Sequence, residues 1–172
     1  RVKSVFVMNP VGSVLFGPVG YGQIDVPVMM VAGTADTIAP AFPEQIVPFT
    51  WLTTPDRYLL LISQGTHFSA IGDIATGDQP LPIPPELIGL RPELVWDYMQ
   101  VLGLAYFKLT LEGDQRFQPA LQPAFAAALG VEPYLLSLLS SPNADISPAA
   151  PDAALESAPT PIEAGLNDSP AP

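Results

Sequence analysis

The sequence contains one histidine, and its position relative to one aspartate predicts acid–base chemistry. His67 lies in residues 65–68 (GTHF), directly after an apolar run, and Asp36 lies in residues 33–36 (GTAD), after the preceding run. A carboxylate after one strand and a histidine after the next match the last two members of a Ser…Asp…His order. In that order the histidine relays the proton of the nucleophile, and the carboxylate holds the imidazole in the required tautomer. We therefore predict that Asp36 and His67 are catalytic and lie within hydrogen-bond distance of each other.

Each residue also has a purely structural explanation. A lone histidine is commonly a hydrogen-bonded side chain without a role, and an aspartate in a turn commonly caps a following helix. The two explanations of Asp36 are compatible only if its carboxylate also faces His67. Asp25, Asp73 and Asp78 are competing acids, but they precede a strand or lie well past His67, so we expect them to be loop residues.

Three short apolar runs must position this pair. They span residues 2–8, 26–32 and 58–62, and each ends in turn residues. The runs are nearly continuous rather than alternating, which is typical of strands buried on both faces of a parallel sheet. Reactive groups gather at the carboxyl ends of such strands. The sequence therefore predicts an α/β fold with three adjacent parallel strands and flanking helices.

Four further apolar segments are predicted to be helical. They are residues 44–52, a helix from Pro92 to about Gly113, residues 119–129 before Gly130, and a helical turn at 134–139. Pro48 should end or kink the first of them, whereas Pro92 stands where a helix tolerates proline. The Pro92 helix carries a stripe of apolar residues at three- and four-residue steps, which should face the core. Trp51 and Trp96 are also expected in the core.

Composition divides the chain into two parts. Hydrophobic residues make up 48% of the 172 residues, enough for one packed domain, which we assign to residues 1–139. Residues 140–172 are rich in proline and alanine and contain acidic but no basic side chains. Such a segment buries too little apolar area to offset its ordering entropy, so we predict a disordered acidic tail.

Charge and residue usage exclude several classes of function. The net charge is −11 with six basic residues, which disfavours nucleic acid as a partner. No apolar stretch is long enough to predict a membrane span. The sequence has no cysteine and one histidine, so we expect neither a metal site nor a disulfide within it. No cofactor is predicted, and the composition does not specify an oligomeric state.

Several segments at characteristic spacing resemble a known family. They are VAGTADTIAP at 31–40, PF at 48–49, YLLLI at 58–62, GTHF at 65–68, and residues 107–121 with EGDQRF at 112–117. Together they resemble the polyesterase-lipase-cutinase branch of the α/β-hydrolases. The wider neighbourhood includes dienelactone hydrolases and platelet-activating-factor acetylhydrolase-like proteins. The resemblance covers roughly residues 2–121 and implies the C-terminal half of an α/β-hydrolase fold.

The resemblance further implies a serine hydrolase that cleaves small carboxylic esters, with Asp36 as the triad acid and His67 as the base. No Gly-x-Ser-x-Gly elbow is found here, because Ser4, Ser13 and Ser63 lack flanking glycines on both sides. We therefore expect the serine upstream of Arg1, and we expect this part alone to be inactive. Any signal peptide would also lie upstream, which leaves secreted and periplasmic locations open.

Two further departures separate the chain from the cutinase-type members. Those members have a C-terminal disulfide and a substrate-stacking tryptophan, whereas this chain has no cysteine and reads Asn-Pro-Val-Gly at 9–12. A dienelactone-hydrolase-like esterase therefore fits better than a polyester hydrolase. Two alternatives stay open: a cysteine nucleophile of the dienelactone type upstream, and a non-catalytic α/β-hydrolase-like binding module.

Overall fold

A computed structural model describes residues 1–70 and 83–141. Within these residues the fold is α/β, with a mixed four-stranded sheet and five α-helices. The strands are β1 (Val5–Met8), β2 (Val28–Gly33), β3 (Arg57–Ile62) and β4 (Leu136–Ser140). They lie in the order β1-β2-β3-β4, the first three parallel and the fourth antiparallel to β3.

The three predicted parallel strands are confirmed as neighbours. Their register aligns Met8 with Val31 and Gly33 with Ile62, so all three strands end at the same edge of the sheet. Every residue of β2 is buried, because this strand has a strand on each side and helices over both faces. That position explains why its sequence is continuously apolar.

The fourth strand corrects the prediction of a helical turn at residues 134–139. Leu136, Leu138 and Ser140 are buried whereas Ser137 is exposed, so the segment alternates as a strand does. The strand continues past the predicted domain boundary, because Ser140 pairs with Tyr58 and the Ser141 amide donates to the Arg57 carbonyl at 3.0 Å. The tail predicted from residue 140 therefore loses its first two residues to the domain. Its remaining part, 142–172, lies outside the described residues.

One face of the sheet is covered by the C-terminal helices. These are α4 (Pro92–Glu112), a 3₁₀ helix (Gln115–Leu121) and α5 (Pro123–Leu129). The short helix α3 (Pro85–Ile88) lies against the loop after β3, where the Phe68 amide donates to the Leu87 carbonyl. The predicted stripe of α4 is confirmed, since Val95, Tyr98 and Leu102 pack against the sheet within one core cluster. The helix also ends as predicted, because Gly113 adopts φ 70° and its amide donates to the Leu109 carbonyl at 3.0 Å.

Proline accounts for a split in the next predicted helix. Residues 119–129 form the end of the 3₁₀ helix and all of α5, with Pro123 in the first turn of α5. Gln122, directly before Pro123, is extended with φ −105° and ψ 148°. A residue before proline disfavours the helical conformation, so the two segments do not form one helix. The predicted end before Gly130 is confirmed. Trp96, which was expected in the core, is instead half exposed on α4.

The opposite face is covered by α1 (Ser13–Gly22), a π-helix (Phe42–Ile46) and α2 (Val47–Trp51). Pro48 lies in the first turn of α2, so the predicted helix at 44–52 exists as a π-helix that passes directly into an α-helix. Helix α1 was not predicted, because its sequence contains three glycines before Gln23 and also Pro18, which are turn residues. Gly17 indeed interrupts it with φ 56°. None of the helices in the described ranges is long and apolar enough to cross a membrane.

Candidate active site

Two glycines allow the loops after β2 and β3 to touch. A Cβ atom added to Gly33 would collide with the carbonyl of Gly65, and a Cβ added to Gly65 would lie 3.1 Å from the Gly33 Cα. Only glycine permits this approach of two backbones. The contact is fixed by the Ala35 amide, which donates to the Gly65 carbonyl at 2.9 Å. The glycines that flank the predicted pair therefore have a geometric role.

Asp36 and His67 meet directly above this contact. The two atoms nearest each other are His67 Nδ1 and Asp36 Oδ2, at 2.8 Å. The Asp36 side chain is 0% exposed and the His67 side chain 22% exposed, so the carboxylate is inaccessible while the ring reaches solvent. The expected hydrogen-bond distance is confirmed. The loops that leave neighbouring parallel strands thus bring the two residues together without a long excursion.

The second carboxylate oxygen of Asp36 is fixed by the backbone. Oδ1 accepts hydrogen bonds from the amides of Ile38 and Ala39, both at 2.8 Å. Asp36 therefore caps a turn with one oxygen and contacts His67 with the other, so its structural and its predicted chemical roles coexist. A buried carboxylate with three donors is held in one rotamer and is compensated for its loss of water.

This arrangement determines what the imidazole can do. An ionised carboxylate only accepts hydrogen bonds, so Nδ1 must carry a proton and donate to Asp36 Oδ2. In the neutral ring the lone pair then resides on Nε2, which is the nitrogen that can accept a proton. When it does, the adjacent carboxylate stabilises the imidazolium. The geometry of the pair is thus the one that general base and general acid chemistry at Nε2 would need.

The loop that carries His67 is held by hydrogen bonds among Thr66, Ser69 and the Leu87 carbonyl. Thr66 Oγ1 donates to the Leu87 carbonyl at 2.6 Å and lies 2.8 Å from Ser69 Oγ. The Phe68 amide also donates to the Leu87 carbonyl, at 3.1 Å. Ser69 is buried and in addition accepts from the Thr66 amide at 2.8 Å. Helix α3 therefore anchors the histidine loop, a contact that the sequence alone did not predict.

Asn9 is a third polar residue at this edge that sequence reasoning missed. It was interpreted only as part of an Asn-Pro turn at the end of the first strand. Its Oδ1 accepts from the Gly33 amide at 3.1 Å, and its Nδ2 donates to the carbonyls of Thr66 at 3.3 Å and His67 at 3.0 Å. The available signal was its position, which matches that of Asp36 and His67 at the carboxyl end of a neighbouring strand.

A second carboxylate organises the loop after β1. Glu44 Oε2 accepts hydrogen bonds from the amides of Gly12 at 3.0 Å and Ser13 at 3.1 Å. The hydrogen bond from the Gly12 amide, and to a smaller extent that from the Ser13 amide, lowers the pKa of Glu44 from its ordinary value of 4.5. The neighbouring Gln45 donates from Nε2 to the Pro10 carbonyl at 2.7 Å. The π-helix is thereby attached to the segment that leads into α1.

The competing acids do not replace Asp36. Asp25 is an exposed residue whose nearest ion-pair partner is Arg1, at 3.6 Å. Asp73 and Asp78 lie outside the described residues. In residues 1–70 and 83–141, no group of three His, Cys, Asp or Glu side chains could hold a metal ion.

Three of the described serines make hydrogen bonds elsewhere in the fold, Ser4 through its hydroxyl and Ser13 and Ser63 through their backbone amides. Ser4 Oγ donates to the Tyr106 hydroxyl at 2.8 Å, and the Ser13 amide is bound to Glu44. The Ser63 amide pairs with the Leu135 carbonyl at 2.8 Å. None of the hydrogen bonds made between described residues joins a serine to the His67 ring. In the described part of the chain, Asp36 and His67 therefore meet without a serine hydrogen-bonded to the imidazole.

No protein-family model matches the chain, and no curated protein matches it.

Proposed function

We propose that the chain is the C-terminal half of an α/β-hydrolase domain and that Asp36 and His67 are the acid and base of a triad that cleaves carboxylic esters. The observation that supports this proposal most directly is the 2.8 Å contact of His67 Nδ1 with Asp36 Oδ2, with the other carboxylate oxygen held by two amides. A structural aspartate needs only the amides. The added contact with a partly exposed imidazole is what general base catalysis requires.

In the proposed reaction a serine from a segment N-terminal to Arg1 supplies the nucleophile. His67 Nε2 takes the hydroxyl proton as the serine oxygen attacks the ester carbonyl, and it then gives that proton to the departing alcohol. Water attacks the resulting acyl-enzyme by the same route, releases the acid and regenerates the serine. Asp36 stays ionised throughout and stabilises the imidazolium in both steps.

The exposed apolar surface around β1 supports the proposal that a further half of the domain packs against it. In the described residues β1 pairs on one side only, with β2. Helix α1 exposes Val14 at 96% and Leu15 at 78%. On the other face the exposed Phe107 of α4 stacks beside Phe6 of β1, with ring centroids 6.0 Å apart. Parallel strands are normally covered on both faces, and exposed apolar patches of this kind mark interaction sites.

The test uses the complete protein, including the segment upstream of Arg1, and a p-nitrophenyl ester as substrate. We expect His67→Ala to abolish nearly all turnover, and Asp36→Asn to lower kcat by about 10³–10⁴-fold because an amide holds the ring in the wrong tautomer. Asp25→Asn is the matched control, because it removes an exposed aspartate of the same chemistry. Wild-type rates in a folded His67→Ala protein would disprove the triad.

A fluorophosphonate probe separates the proposal from its two alternatives, because the probe labels activated serines. We expect labelling of the complete protein that is lost in His67→Ala. Labelling by a thiol-selective reagent instead would indicate a cysteine nucleophile of the dienelactone type. A complete protein that neither reagent labels, and that hydrolyses no ester, would be a binding module.

A further inference from the structure

One side chain at the end of β1 connects the two loops that carry the candidate catalytic pair. Asn9 accepts from the Gly33 amide, at the start of the loop that holds Asp36. It donates to the carbonyls of Thr66 and His67, in the loop after β3. Its own amide donates to the Val31 carbonyl at 2.8 Å, which fixes the Asn9 backbone against β2. Asn9 therefore links three adjacent strands at the edge where the pair lies.

The chemistry of these contacts requires a carboxamide. One end of the side chain must accept a hydrogen bond and the other must donate two, and only the amide of asparagine or glutamine offers both. An aspartate of the same shape could accept from Gly33 but would face two carbonyl oxygens without a proton to donate. Asn9 also has φ 44°, a left-handed conformation in which asparagine is enriched among residues other than glycine.

The bonds act on the backbone that determines the position of the imidazole. The carbonyl of His67 belongs to the same residue as the ring, and the Gly33 amide lies three residues before Asp36. Holding both with one rigid amide limits how far the two loops can move apart. Asp36 is already fixed by the amides of Ile38 and Ala39. The Leu87 carbonyl holds the histidine loop from the side of α3, so Asn9 adds the restraint that ties this loop to the ends of β1 and β2.

We propose that Asn9 is a positioning residue that holds His67 against Asp36 by joining the ends of β1 and β2 to the histidine loop. This inference rests on the proposed function, because positioning matters for catalysis only if the pair is catalytic. Asn9 touches the backbone of His67, Thr66 and Gly33 and has no part in proton transfer itself.

The experiment observes the imidazole directly by nuclear magnetic resonance. His67 is the only histidine of the chain, so ¹⁵N-histidine labelling gives one pair of ring nitrogen signals and one hydrogen-bonded Nδ1 proton. Two variants separate the effect of all three side-chain hydrogen bonds from the effect of the donor alone. Asn9→Gly keeps the left-handed backbone and removes all three side-chain bonds, whereas Asn9→Asp keeps the acceptor and removes the donor. Gln115→Glu is the control for converting an exposed amide to an acid.

In both variants we expect the Nδ1 proton to exchange with solvent about tenfold faster or more, and the ring nitrogen shifts to move towards a mixture of tautomers. The control should leave all signals unchanged, and circular dichroism should show a folded chain. In the complete protein, kcat should fall by about 10²-fold with KM nearly constant, as expected when a catalytic group is misplaced.

Unchanged ring signals in folded Asn9→Gly and Asn9→Asp would overturn the proposal. Unfolding of both variants would overturn it as well, because Asn9 would then be needed for the fold rather than for the pair. The ring signals do not depend on ester turnover, so a complete protein without esterase activity would contradict the proposed function while leaving this result intact.

Discussion

At the scale of single residues, the candidate site depends on two glycines, which have no side chain, as much as on its two polar residues. Asp36 and His67 meet at 2.8 Å because Gly33 and Gly65 let two backbones touch. The two candidate catalytic residues and the two glycines that allow their contact lie on the same two loops. The sequence reveals the first kind by type and the second only by position.

The Gly33 contact gives a direct test of this dependence. A Cβ atom in Gly33→Ala would meet the Gly65 carbonyl, which is backbone and cannot rotate away. We expect the free energy of unfolding to fall by about 1–3 kcal/mol, as in other overpacked sites, and the Asp36–His67 hydrogen bond to weaken. Urea unfolding measures the first effect and the His67 Nδ1 proton signal the second.

Gly22→Ala is the matched control for that change. Its Cβ would lie 3.7 Å from the Trp51 carbonyl oxygen, an ordinary van der Waals distance. The unfolding midpoint of this variant should stay close to that of the original chain. Equal destabilisation by the two substitutions would mean that loss of glycine, and not the close approach of the loops, is responsible.

At the scale of elements, Glu44 joins the π-helix to the start of α1 through the Gly12 and Ser13 amides. Its folded-state pKa is lowered by these bonds, so its charge stabilises the fold above the unfolded pKa. That contribution is lost as the pH falls through the folded-state pKa. Glu44→Gln keeps the acceptor and removes the charge. We therefore expect the variant to be less stable at pH 7 and to approach the original as the pH falls below the ordinary glutamate pKa of 4.5 and through the lowered folded-state pKa.

Thermal unfolding between about pH 2 and pH 7 measures this difference, because the carboxylate is ionised at pH 7 and a lowered pKa moves its titration to the acidic end of this range. Glu86→Gln, at an exposed position of α3, controls for the loss of one negative charge on a chain of net charge −11. A gap between Glu44→Gln and the original chain that does not depend on pH would show that packing, and not the carboxylate charge, connects these elements.

The elements also show where sequence reasoning succeeds and where it stops. The strands β1 to β3 and helix α4 were predictable, because continuous apolar runs and a helical stripe report burial directly. The strand β4 was missed because its five residues (LSLLS) carry both a helical and an alternating interpretation. Pairing with the neighbouring edge of β3 is what makes the segment a strand. Helix α1 was missed because its glycines and Pro18 mark a turn, and its stability comes from partners such as Glu44.

The residues of the candidate site also include some that the sequence predicts and one that it does not. Asp36 and His67 were predictable from their residue types at consecutive strand ends. Asn9 occupies an equivalent place, but an Asn-Pro pair is also an ordinary turn signal. Its three hydrogen bonds go to backbone groups in two other loops. Backbone partners leave no trace in the sequence, so only the assembled sheet identifies them.

At the scale of the whole molecule, the described residues end at Ser141, whose amide still donates to the Arg57 carbonyl in β3. Residues 142–172 contain seven prolines and no basic residue, and their composition predicts no contribution to the core. A chain that ends at Ser141 should therefore unfold at nearly the same temperature as the longer one. A chain that ends at Tyr134 is the comparison, since it lacks β4 and should unfold well below both.

A large drop in the midpoint of the chain that ends at Ser141 would mean that the acidic segment packs on the domain. In that case its negative charges should make the effect dependent on ionic strength. A midpoint that is both lowered and insensitive to salt would point to apolar contacts instead.

The order of the strands has a consequence for how the molecule assembles. The first three strands lie in the sheet in the order in which they occur in the chain, so each finds its neighbour across a short crossover. The strand β4 follows α4 and α5 in the chain, so it can pair with β3 only after both helices have been synthesised. Closing short loops costs less entropy than closing long ones, and local contacts speed folding. We therefore expect Asp36 and His67 to be brought together early during synthesis, before the C-terminal helices α4 and α5, which cover one face of the sheet, have left the ribosome.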